Sequence, residues 1–122
     1  MQTAKLREFL QERMEAISAR RYYGSAPASA EFPYLVWNLE EIAYEGAMAL
    51  LELEIDAVDY GESTAQAESM ADLLQKSLHN LHQLTDDFFV AIYRERRQPI
   101  YENDKSIIRR RLIFQVRLHE RS

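Results

Sequence analysis

The chain has no cysteine, and only three glycines and three prolines in 122 residues. Without cysteine there is no disulfide framework, no thiolate nucleophile and no cysteine-ligated zinc site. Three glycines leave little for a phosphate-cradling loop, and no P-loop, GxGxxG or GxSxG pattern occurs. Long hydrophobic runs are missing too. No stretch approaches the length of a membrane span, and charges interrupt the apolar positions of MQTAKLREFLQERMEAI. The expected product is soluble, made in the cytosol and without a membrane partner. Histidine is scarce: His79 and His82 lie three apart in LHNLH, and His119 is the remaining one. Two imidazoles without a carboxylate partner do not make a metal site, so neither metal nor cofactor is expected. Carboxylates are plentiful, but none is marked by its pattern as half of an acid/base pair, and no catalytic residue is assigned. The sequence offers nothing positive for an enzyme.

What is present is a globular composition, 47% hydrophobic and 29% charged with thirteen aromatics, in a length that suits one domain over residues 1–122. Charge is unevenly placed. Residues 1–61 carry five Lys/Arg against eleven Asp/Glu, and residues 62–122 carry ten against nine. Such polarity fits head-to-tail contact between copies as well as it fits a polyanion.

Leu6, Phe9, Leu10, Met14 and Ile17 recur at helical spacing, with Thr3 as an N-cap. Residues 18–32 collect Gly24, Pro27 and small polar residues and read as an exposed loop. PYLVWNLE is a first strand. In AMALLELEIDAVDY, Leu51, Leu53, Ile55 and Ala57 alternate with Glu52, Glu54 and Asp56, which predicts a buried face and an acidic one. Val58 and Tyr60 break that alternation, the mark of a bulge or a strand end. Ser63 and Gln66 form a capping box for a second helix of about five turns, whose stripe runs from Ala67 to Leu81. FFVAIYRERR and IIRRRLIFQVRLHE are the last strands, joined through QPIYENDKS as a charged β-hairpin over residues 94–111. The pattern predicts an α+β fold in the order α-β-β-α-β-β: a mainly antiparallel four-stranded sheet with two helices packed on one face.

The candidate interaction residues follow from strand phase. With Leu112, Phe114, Val116 and Leu118 in the core, Arg109, Arg111, Ile113, Gln115 and Arg117 share the opposite face. Three readings are open for these arginines and for Arg94, Arg96 and Arg97. They pair across the sheet with Glu52, Glu54 and Asp56, they dock on that acidic face of a neighbouring copy, or they bind nucleic acid with Tyr93 and Tyr101 stacking beside them. The net charge of −5 works against nucleic acid as a partner.

The ordered series FPYLVWNL, LLELEIDAVDYGES, AESMADLLQKSL and FFVAIYRERRQPIYENDKSIIRRRLIFQVRL resembles the small tail-completion proteins of tailed bacteriophages, which include the tail terminators. The likeness spans roughly residues 1–119. It implies a non-enzymatic structural protein of a phage or prophage. In that role several copies, typically six, form a ring that ends tail-tube polymerisation and joins tail to head, with tube and head-side connector proteins as partners. It implies a place in the virion tail or neck, after assembly in the bacterial host cytoplasm. The 94–111 hairpin and the 18–32 loop would then be docking surfaces, and Glu52, Glu54 and Asp56 an inter-subunit face. A head-completion or neck protein of the same machinery is the neighbouring alternative. A small nucleic-acid-binding domain is the rival from another class.

Overall fold

A computed structural model of the chain describes residues 3–121; Met1, Gln2 and Ser122, the ends of the expected domain, lie outside the described residues. The elements are α1 (Thr3–Glu15), β1 (Arg21–Tyr23), β2 (Tyr34–Glu45), β3 (Met48–Tyr60), α2 (Ala65–Leu78), β4 (Leu81–Leu84), β5 (Phe88–Ile100) and β6 (Ile107–Glu120). They build a sheet in the order β1-β2-β3-β6-β5-β4. All pairings are antiparallel except β1 with β2, which is parallel.

The expected four-stranded antiparallel sheet is therefore corrected to a six-stranded mixed one. The two added strands are three and four residues long, too short to show an alternation of their own. β1 falls inside the stretch read as loop, where Arg20 O accepts from Leu35 N and Gly24 N donates to Trp37 O, each at 2.9 Å. Tyr23 packs edge-on against Trp37 and is covered in turn by the Arg7 guanidinium. β4 contains Leu81, which matched the helical stripe. The helix stops earlier because its C-cap, His79, turns extended (φ −68°, ψ 131°), and Asn80 after it takes φ 60°, a left-handed conformation that asparagine tolerates. α2 thus has 14 residues, nearer four turns than five. Its expected capping box does not form: Thr64 is the N-cap without a side-chain bond, while Ser63 Oγ accepts from Ala65 N.

Both helices cover one face of the sheet. Leu6, Leu10 and Met14 of α1 and Met70, Ala71, Leu74 and Leu78 of α2 join one cluster with the inward residues of β2, β3, β5 and β6. The predicted strand phases hold there: Leu51, Leu53, Ile55, Leu112, Phe114, Val116 and Leu118 are buried in that cluster. Pairing of β3 continues unbroken to Tyr60, so the irregular alternation at Val58 marks no bulge. The register shifts lie elsewhere, at Ile42 in β2 and Glu95 in β5. Among the described residues no helix is long and apolar enough to cross a membrane.

Candidate functional site

The open face of the sheet, away from the helices, carries the charged rows. Asp56 of β3 lies directly opposite Arg111 of β6, and the two form a fork, Nε to Oδ1 at 2.9 Å and Nη2 to Oδ2 at 3.0 Å. Arg109, two residues along β6, donates to the same Oδ2 at 2.8 Å and to Glu102 Oε1 at 2.9 Å. Arg111 also approaches Glu54 at 3.4 Å. Asp56 is 3% exposed, whereas an acidic row on an open strand face is expected to be solvated. Two guanidiniums satisfy both of its oxygens, which is the condition under which a carboxylate can be buried. Gly24, Ser25 and Ala26 line a cavity of about 300 Å³ together with Asp56 and both arginines, so part of the 18–32 segment borders this cluster.

The helix side has a second cluster that the strand pattern did not reveal. Arg97 donates to Glu68 Oε2 at 2.8 Å and to Asp72 Oδ1 at 2.7 Å, and Arg110 bonds the other oxygen of Glu68. Burial pushes the Glu68 carboxyl up, but the hydrogen bonds from Arg110 and Arg97 outweigh it and hold the group below the ordinary glutamate range. Arg94 donates to Gln75 Oε1 at 3.1 Å, and its backbone N–H donates to His79 Nδ1 at 2.9 Å. Glu68, Asp72, Gln75 and His79 follow the i, i+4, i+7, i+11 spacing of one helix stripe. That spacing was the signal available in the sequence. His82 pairs with the Tyr93 hydroxyl at 2.8 Å, and no metal-holding cluster occurs among the described residues.

The structure thus divides the predicted interaction residues. Arg97, Arg109 and Arg111 are committed to carboxylates within the monomer, and of the acidic row Asp56 and Glu54 receive them. Arg94 and Arg96 are exposed and make no ion pair among the described residues, and neither does Glu52. Glu52 stands directly opposite Glu40 of β2, two like charges in one cross-strand pair. From Glu40 to Ala47 every residue is exposed, Ile42 and Tyr44 included.

The open sheet face is thus closed at its centre by ion pairs within the monomer, and its exposed charge lies toward the margins. The model of the family Tail completion protein gp17 matches residues 3–119, and the chain belongs to that family. It is a structural protein of the phage tail and its place is the virion. No curated protein sequence matches the chain. Among solved structures it is similar to a chain described as "Virion of native gene transfer agent (GTA) particle", with a TM-score of 0.67 and 15% identity, over 87% of this chain and 84% of that one. At that identity the likeness is one of fold.

Proposed function

We propose that the protein assembles head-to-tail into a ring of six copies that ends tail-tube polymerisation and presents a surface to the head-side connector, without catalysing a reaction. Family membership and the fold shared with a chain of a phage-like virion support a role among other particle proteins. The observation that carries the choice against nucleic acid is the internal pairing of the basic hairpin. Of the basic side chains between Tyr93 and Arg111, Arg97, Arg109, Arg110 and Arg111 already hold carboxylates. Phosphate affinity grows with the number of free cations, and this hairpin keeps few.

The test is molar mass by light scattering over a concentration series, at about 50 and about 200 mM salt, with a short DNA duplex added in parallel samples. A discrete ring-sized species indifferent to DNA is expected. A monomer that gains mass only with duplex, and loses it as salt rises, would overturn the reading.

A further inference from the structure

The sheet has two lateral margins left open, and they match. On one side β1 covers β2 only from Leu35 to Trp37, and the Tyr23 hydroxyl meets the Leu39 backbone N–H and carbonyl at 3.3 and 3.4 Å. Beyond that point, among the described residues, no strand pairs with the outer edge of β2. On the other side β4 is itself the margin, and it ends beside Ile92, leaving the outer edge of β5 uncovered by a strand from there on.

Register places these margins at the same height. The row of partners that starts at Glu41 runs through Leu51, Val116 and Ile92 to Leu81, and the row from Glu45 ends at Leu84. The rows from Leu39 and Asn38 end at Arg94 and Arg96. Four antiparallel steps separate β2 from β4, so the two strands run in the same direction. A neighbour placed alongside at the same height presents β4 parallel to β2.

Toward the Arg94 end the charges are opposite in sign, while exposed Asp86, just past Leu84, lies near the height of Glu45. The β2 margin holds Glu40, Glu41 and Glu45, all exposed and without an ion pair among the described residues. The facing margin holds Arg94, bonded only to a neutral glutamine and a histidine, and Arg96. Glu95 between them belongs to the bulge and lines a shallow cavity on the open face with Ile42 and Glu52. Exposed apolar groups sit on both sides, Ile42 and Tyr44 on β2 and Leu84 on β4.

We infer that the β2 margin from Leu39 to Glu45 of one copy docks on the β4 margin and the adjoining Arg94 and Arg96 of the next. The inference rests on the ring reading above and names the surfaces that close it. Like margins would set glutamates against glutamates or arginines against arginines, which disfavours a two-fold pairing. Head-to-tail contact is what remains, and such contacts close a ring or run on as a filament. A short edge strand, a bulge and charges of one sign also block promiscuous edge pairing while leaving the complementary margin acceptable.

The test uses two margin reversals, E40K/E41K and R94E/R96E, each checked for a wild-type thermal melt, with molar mass read by light scattering. Each variant alone should fall from the ring to the 14.4 kDa monomer. An equimolar mixture should regain the wild-type mass, because in an alternating ring the reversed margin of one variant meets the oppositely charged reversed margin of the other, and the unreversed margins meet as in the wild type. The single changes E41K and R96E should weaken assembly and show the same rescue. A ring that persists in either double variant, or two folded variants that stay monomeric together, overturns the margin assignment and leaves the ring standing. A wild-type chain that remains monomeric at every concentration, both alone and with isolated tail tubes, overturns the ring and the margins with it.

Discussion

Arg111 holds Asp56 by both oxygens from directly across β3 and β6, and this pairing makes the centre of the open face part of the fold. Removing the carboxylate would leave two partly buried guanidiniums facing each other. Asp56→Ala is therefore expected to cost about 3–5 kcal/mol, the usual penalty for breaking a buried ion pair from one side. Urea unfolding followed by circular dichroism measures it. The double reversal R109E/R111E sets two new carboxylates among Asp56, Glu54 and Glu102 and should unfold the monomer. A folded variant defective only in assembly would show that these arginines act between copies.

Leu53 and Phe114 are opposite partners in the register of β3 and β6, and both are fully buried beneath the helices. Leu53→Ala should cost about 2–5 kcal/mol and Phe114→Ala about 3–5 kcal/mol, the transfer loss plus the cavity left behind. Because they touch one space, the double substitution should cost less or more than the sum by about 0.5 kcal/mol or greater. Denaturant midpoints of the three variants decide this, and strict additivity would mean the two sites relax independently.

Much of this core was legible because long strands advertise their phase. Fourteen residues of β6 carry four alternating apolar positions, and no short-range alternative competes. β1 and β4 were not legible: Arg-Tyr-Tyr and Leu-His-Gln-Leu are strands only because β2 and β5 offer them an edge. Leu81 fitted the helical period, and tertiary pairing overrode it. Among the site residues, the pairing of β6 arginines with β3 carboxylates was one of the readings that alternation allowed. The burial of Asp56 depends on Arg109, Arg111 and a segment some thirty residues away, and nothing local in LELEIDAV separates Asp56 from Glu52.

Asn80 makes the turn from α2 into β4 at φ 60°. Asn80→Gly should leave stability within a few tenths of a kcal/mol, since glycine adopts this conformation without steric cost. Asn80→Val should lose about 1–2 kcal/mol, the penalty a β-branched side chain meets in the left-handed region. Thermal melts of the two variants compare them directly. Equal melting temperatures would mean the turn shifts to accept valine.

Glu68 joins α2 to two strands at once, through Arg97 of β5 and Arg110 of β6, and its protonation should be felt in stability. Its folded-state carboxyl lies below the ordinary value of 4.5, so near that value the unfolded chain binds more protons at this position than the folded one. Stability from this group is then fully present above pH 4.5 and is lost as pH falls through the lower folded-state value. Glu68 remains part-exposed, so solvent screening limits the size of the effect. Unfolding measured from pH 6 down to about pH 3 should show a steeper decline in the wild type than in Glu68→Gln, which keeps the shape and loses the titration. The two curves should converge at the acid end, where both side chains are neutral. Parallel curves would assign the acid sensitivity to other carboxylates and reduce the Glu68 pairs to solvated contacts.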